Sequence, residues 1–164
     1  AFFQNTKKLG PEFWPEHRNG AWWSTLLGAR KGRLYTLLMN QQVVAGIGNI
    51  ISLETLHRLK VPLTTKANAL SARQWSIFAS AVRTVVSQSL EQHALLRTQE
   101  QHGMDSPQIL RGELKLVAEG HTHAKGFLIY GRTGETCPSC STGSIQKGKL
   151  SGRPTYWCPI CQSH

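Results

Sequence analysis

The amino-acid sequence predicts a mainly α fold: four helices followed by a small β-hairpin closed by four cysteines. Two observations carry that expectation. Between about residues 21 and 90, apolar residues recur three and four apart, the period of a helix with one buried face. All four cysteines lie beyond residue 136, in two CxxC pairs with none left over. A third observation sets the chemistry: nineteen Lys and Arg against nine Asp and Glu give a net charge of +10. The 164 residues, 40% of them hydrophobic, suffice for one medium domain or two small ones with a true core.

Residues 1 to about 20 read as an irregular lead-in, broken by Gly10-Pro11, Pro15 and Gly20. Helical spacing begins at Ala21–Leu27 (Trp22, Trp23, Leu26, Leu27) and returns over Lys31–Met39 (Leu34, Leu37, Leu38). The connector Asn40-Gln41-Gln42 leads through Val43 to Gly48 into a third helix, about Asn49 to Leu59, with Ile50, Leu53 and Leu56 on one side and Pro62 ending it. A fourth, longer helix starts at Ser71, where Ser71-Ala72-Arg73-Gln74 has the form of a capping box. Trp75, Phe78, Ala79, Val82, Val85, Val86 and Leu90 form its core stripe, and Trp75 and Phe78 are expected in the core rather than as base-stacking platforms. Residues 92 to about 125, with Gly103, Pro107, Gly112 and Gly120, read as a long connection. His121 and His123 within it are expected as solvent-exposed histidines, a second metal site being the weaker alternative. Phe127–Tyr130 is predicted as a short strand entering the cysteine module. The expected organisation is a helical domain over 1–91, a connector over 92–129 and a four-cysteine hairpin over 130–164.

Cys137-Pro138-Ser139-Cys140 and Cys158-Pro159-Ile160-Cys161 are separated by seventeen residues. Each CxxC supplies two thiolates from one tight turn, and two such turns suit one tetrahedral structural Zn2+. Two disulfides would need an oxidising compartment, and a redox CxxC would need a βαβ context that neither pair has. So short a segment cannot bury enough apolar surface to fold unaided, so the ion would fold it. Four thiolates leave no open coordination position, and no metal catalysis is expected. Between the pairs lie Lys147, Lys149 and Arg153 and no acidic residue, with Gly148 and Gly152 read as turn punctuation.

The positive charge favours polyanionic partners. No basic amphipathic helix stands out, no apolar run is long enough to cross a bilayer, and Ala1-Phe2-Phe3-Gln4-Asn5 does not open a signal peptide. With metal-type cysteines this gives the expectation of an intracellular protein, in the cytoplasm and nucleoid or a nucleus. Ala1 is not an initiator Met, which suggests a processed or excised piece of a longer protein.

Gly46-Ile47-Gly48-Asn49 sits immediately before the third helix. Glycines let the backbone turn sharply and approach a ligand, and a helix's first turn presents unpaired N–H groups to an anion. Asn49 adds a side-chain donor for a phosphate oxygen. The same residues equally suit a tight helix-to-helix turn with Asn49 as a cap. No strand precedes them and a third glycine is missing, so they are not a dinucleotide fingerprint.

The run Gln42-Val43-Val44-Ala45-Gly46-Ile47-Gly48-Asn49-Ile50, with Glu54 beyond it, resembles the helix-two-turn-helix signature of the formamidopyrimidine-DNA glycosylase and endonuclease VIII family. Leu9-Gly10-Pro11-Glu12 resembles the junction into that domain. Tyr130–Cys137 and Gly152–Gln162 resemble the family's C-terminal zinc finger. The likeness spans nearly the whole chain in family order. A helix-two-turn-helix also occurs in a ribosomal protein and in some topoisomerases, without this hairpin after it. The resemblance implies that Asn49 holds a phosphate near a lesion, that Arg153 at the hairpin tip holds phosphates around an extruded nucleotide, and that Cys137, Cys140, Cys158 and Cys161 bind zinc. It implies double-stranded DNA, damaged or abasic, as the partner, and a monomer.

Other residues depart from the family. Its nucleophile is an N-terminal proline beside a glutamate, on a separate N-terminal domain. Residues 1–3 are Ala-Phe-Phe, and Pro11 is internal. The implied reading is the DNA-binding C-terminal half of a base-excision-repair glycosylase/AP lyase, without its catalytic domain and inactive alone. Ile51 stands where the family usually has Tyr, Val61 rather than a His stands directly before Pro62, and the connector is long. Two rivals remain: a zinc-stabilised interaction module for nucleic acid or protein without lesion specificity, and a lyase using a lysine amine such as Lys60 or Lys66.

Overall fold

The computed structural model describes residues 8–14, 16, 18–101 (92–101 as backbone) and 127–163. Its elements are α1 (Gly20–Leu27), α2 (Leu34–Met39), α3 (Asn49–Leu59), a turn of 3-10 helix (Ala67–Ala69), α4 (Ala72–Gln101), β1 (Gln146–Leu150) and β2 (Arg153–Trp157). Four helices and a hairpin are thus present as expected. The expected histidine pair and most of the expected connector lie outside the described residues.

Local chemistry sets the boundaries. Asn19 caps α1 by accepting from the Trp22 N–H at 2.9 Å, so the helix starts at Gly20. α2 is shorter than its apolar spacing predicts. The backbone of residues 30–34 is taken by a neighbour: Leu34 N–H donates to the Thr65 carbonyl (2.8 Å) and Ala67 N–H to the Gly32 carbonyl (3.0 Å). Arg33 therefore pairs with Lys66 in an antiparallel bridge instead of entering the helix. The capping box of α4 forms as predicted, with Gln74 N–H to Ser71 Oγ at 3.2 Å and Ser71 N–H to Gln74 Oε1 at 2.9 Å.

α3 ends in a Schellman motif. Val61 N–H reaches the Leu56 carbonyl (3.3 Å) and Lys60 N–H the His57 carbonyl (3.0 Å). Lys60 occupies the left-handed position usually given to glycine, at φ 56°, and Pro62 follows. α4 continues to Gln101, ten residues beyond the expected domain end. Leu90, expected in its core stripe, is 51% exposed, because the buried face of this helix ends at Val86.

The core forms where α1 and α3 pack on α4. Trp23, Trp75 and Phe78 are buried and meet edge to face, with Trp23–Phe78 centroids 5.0 Å apart and Trp75–Phe78 5.4 Å. Each such side chain contributes about 1.5–3 kcal/mol by leaving water. The same buried cluster includes Ile129, Ile145, Tyr156, Cys137 and Cys158, so the cysteine module shares the helices' core.

Phe127–Tyr130 does not form the predicted strand. The N–H groups of Leu128, Ile129 and Tyr130 all converge on one carboxylate, that of Glu54 (2.8–2.9 Å), and successive amides of a strand would point to opposite sides. The hairpin pairs Gln146 with Trp157 through Leu150 with Arg153. Its turn is Ser151-Gly152, both with positive φ (50° and 78°), the two-residue turn that matches strand twist. Gly148, read as turn punctuation, is instead a strand residue opposite Thr155. A Cβ there would come within 3.0 Å of the Trp157 ring, so its bare backbone lets the indole lie across the strand.

Candidate nucleic-acid interface

α3 organises the site. Its first turn leaves the N–H groups of Asn49, Ile50 and Ile51 without helical acceptors, and the ladder begins with Ser52 N–H to the Gly48 carbonyl at 3.0 Å. The preceding turn is held by Gln41, which accepts from Gly46 N–H (2.9 Å) and donates to the Ile47 carbonyl (2.8 Å). Gly46 has φ +93°, which explains the glycine. Both Gly46 and Gly48 are exposed, and a Cβ built on Gly48 meets nothing within 4 Å.

Asn49 does not stand alone. Its Nδ2 donates to the Pro154 carbonyl at 2.8 Å, across 105 residues of sequence. Its Oδ1 accepts from the Tyr35 hydroxyl at 2.9 Å. Pro154 is next to Arg153, so the helix N-terminus and the hairpin tip adjoin. Arg153 is exposed at the start of β2, beside the Ser151-Gly152 turn. Burial raises the Tyr35 phenol, with the Arg153 charge opposing part of that rise. Tyr130 stacks obliquely on Tyr156, with centroids 5.0 Å apart. Burial raises the Tyr130 phenol, with Tyr156 adding to that and a hydrogen bond from Asn49 opposing it.

The two remaining predicted cations are exposed on β1. Lys147 places its ammonium over the Tyr156 ring, 5.9 Å from the centroid. Lys149 borders a groove of about 500 Å³ that also meets Arg33, Leu63 and Trp157. In the hairpin register Lys147 lies opposite Tyr156 and Lys149 opposite Pro154, the residue whose carbonyl Asn49 bonds.

The four cysteine sulfurs lie within 4.8 Å of one another. Cys137–Cys161 and Cys140–Cys158 are 3.8 and 3.7 Å apart. A tetrahedral ion with Zn–S bonds of about 2.3 Å requires edges of about 3.8 Å, so the donor set fits a zinc site. Backbone N–H groups support the sulfurs, Gly143 to Cys140 (3.3 Å) and Cys161 to Cys158 (3.4 Å). Hydrogen bonds from Thr142 and Gly143 lower the Cys140 thiol to about 6, and burial raises Cys158 and Cys161. A shared cation would let all four thiols ionise.

Two connections between α3 and this module escaped the sequence reading. Glu54 is fully buried, accepts the three N–H groups of residues 128–130, and pairs with Arg58 Nη1 at 2.7 Å. His57 is buried between Gln162 Oε1 (3.3 Å) and Ser139 Oγ (3.0 Å), with Cys137 Sγ 3.8 Å from its Nε2. Burial lowers its pKa, which keeps the ring neutral. Gln162 closes the contact by donating to the Val61 carbonyl at 3.0 Å and accepting from Cys158 N–H at 3.0 Å. The available signal was polar residues set beside Leu53 and Leu56, inside the helix's apolar face.

The fold and site define a helix-two-turn-helix module carrying a four-cysteine hairpin. The formamidopyrimidine-DNA glycosylase H2TH domain model matches residues 9–100, and the chain belongs to this family. A formamidopyrimidine-DNA glycosylase of Cronobacter sakazakii is 33% identical over 94% of this chain, and one of Rippkaea orientalis is 31% identical over 96%. The chain spans about half of these relatives (52% and 51% of their length) and corresponds to the C-terminal half of the family. The crystal structure of the Lactococcus lactis enzyme non-covalently bound to DNA containing an AP site is 26% identical. It superposes with a TM-score of 0.67 over 96% of this chain and 50% of that one. No helix among the described residues is long and apolar enough to cross a membrane.

Proposed function

We propose that this chain is the DNA-gripping half of a base-excision-repair glycosylase. It binds double-stranded DNA at abasic or damaged positions, holds the phosphates of a kinked duplex, and does not itself remove bases or cut strands. The single observation that carries this reading is the Asn49–Pro154 hydrogen bond of 2.8 Å, which sets two candidate phosphate ligands from opposite ends of the chain side by side.

The grip combines three contributions. The first turn of α3 offers Gly48, Asn49 and their amides at the positive end of the helix dipole, worth about 0.3–1 kcal/mol toward an anion. Arg153 adds a charge-assisted, two-pronged contact, and Lys147 and Lys149 add point charges along the hairpin. One structural zinc, held by Cys137, Cys140, Cys158 and Cys161, keeps the hairpin folded and takes no part in chemistry. The catalytic groups belong to the family's N-terminal domain, and no residue of this chain is assigned that role.

Fluorescence anisotropy of the zinc-loaded chain on two duplexes tests this. One duplex carries an abasic-site analogue and the other is intact. Tighter binding to the abasic duplex, with no strand cleavage, supports the reading. Equal binding favours a zinc-stabilised module that holds nucleic acid without sensing lesions. A borohydride-trapped adduct on the abasic duplex would establish a lysine lyase instead.

A further inference from the structure

We propose that Tyr35 is the positioning residue for the phosphate grip: its hydroxyl occupies the only acceptor atom of Asn49, so that the side chain presents donors alone to an arriving phosphate. The inference rests on the DNA-gripping reading above and assigns a role to a residue that neither the motif nor the charge pattern marks.

An asparagine side chain has one acceptor end and one donor end, and a phosphate is bound only by the donor end. Which end faces outward is not fixed by shape, because the two ends are nearly the same size. Two neighbours fix it here. The Pro154 carbonyl can only accept, so Nδ2 must be the atom 2.8 Å from it. The Tyr35 hydroxyl then donates to Oδ1 at 2.9 Å and removes that lone-pair atom from the anion's path.

Tyr35 suits this task because it cannot move. Its ring is 1% exposed and belongs to the helical core, in the first turn of α2. The hydroxyl is therefore a fixed point of the folded helices, and Asn49 is read out against it. The chain has three tyrosines, and all three meet at this corner. Tyr35 donates to Asn49 Oδ1, Tyr130 faces the donor end of the same amide and stacks on Tyr156, and Lys147 lies over Tyr156, so an arriving phosphate competes with the Tyr130 hydroxyl for the amide N–H that Pro154 leaves over. With Phe at position 35, Oδ1 loses its partner, the amide turns more freely about its last torsion, and the donor is held less well toward both Pro154 and the phosphate.

A double-mutant cycle with Tyr35→Phe and Asn49→Ala, read by anisotropy on the abasic-analogue duplex, tests the assignment. Tyr35→Phe should weaken binding about 3- to 10-fold, the equivalent of one hydrogen bond. It should cause no further loss in the Asn49→Ala background, which a general loosening of the core would not predict. In DNA-free protein, the Asn49 side-chain amide protons, followed by NMR exchange, should exchange faster in Tyr35→Phe than in the wild type. Unchanged binding by Tyr35→Phe, an equal loss in both backgrounds, or unaltered Asn49 exchange would overturn the assignment. If the wild type itself bound neither duplex, the grip reading would fall with the role given to Tyr35 in it, and the exchange measurement would still decide whether Tyr35 holds the amide.

Discussion

The two ends of α3 hold the same hairpin module in opposite ways. At the C-terminal end the link is buried: His57, Gln162 and the Val61 carbonyl join beside the cysteine cluster, with Glu54 a turn earlier on residues 128–130. At the N-terminal end the link is one side-chain amide on Pro154, among exposed glycines and an exposed arginine. Buried polar groups that lose a partner are costly, so the first end resists change. Exposed groups can exchange partners with little loss, so the second end is free to engage a ligand. One helix thus separates holding from binding.

The largest effect expected at the holding end comes from the metal site. Zinc withdrawal by a chelator, or Cys158→Ser, removes binding free energy on the order of 10 kcal/mol from the module. Hairpin signals in an NMR spectrum and duplex binding should both disappear, and retention of either would show that the core contacts alone hold the hairpin. Next comes Glu54→Gln, which removes a buried charge from Arg58 and turns one acceptor into a donor facing backbone N–H groups. It should lower stability by about 3–5 kcal/mol in urea unfolding. A change below about 1 kcal/mol would mean that the 127–130 turn is held by packing instead.

Arg153→Ala sharpens the comparison from the other end. Duplex affinity should fall by about 1.5–3 kcal/mol while the thermal midpoint stays as in the wild type. The slope of log affinity against log salt should shrink by about 0.9, one phosphate's share. A lowered midpoint would break the division between the two ends. The smallest effect is a gain: Lys60→Gly relieves a left-handed residue at the end of α3 and should raise stability by about 0.5–1 kcal/mol, read as a higher urea midpoint.

Much of this arrangement was legible in the sequence. The CxxC pairs, the Ser71–Gln74 box and the apolar stripe of α4 from Trp75 to Val86 are local patterns whose spacing fixes their geometry, and each appears in the structure. Three readings went astray because the deciding partner is distant in sequence. Residues 31–33 fall in the expected second helix, but residues 65–68 claim the backbone there. Phe127–Tyr130 has strand composition, but Glu54 gathers its amides. Gly148 has turn character, but Trp157 needs the space above it. In the candidate site, the glycine-asparagine turn and the basic hairpin were visible as types, and Glu54 and His57 only as polar residues inside an apolar face, whereas Tyr35 carries no local pattern and acquires its role from what packs against it.

α3 also acts as a ruler. Asn49 and His57 are eight residues apart, and both must face the same hairpin, one at its tip and one at its metal knuckle. At about 1.5 Å and 100° per residue, one inserted residue between them would swing one end a quarter-turn away from its partner. The loops around this helix can change length and still be repaired locally. The interval between Asn49 and His57 cannot, so chains that keep both contacts should keep that count unchanged.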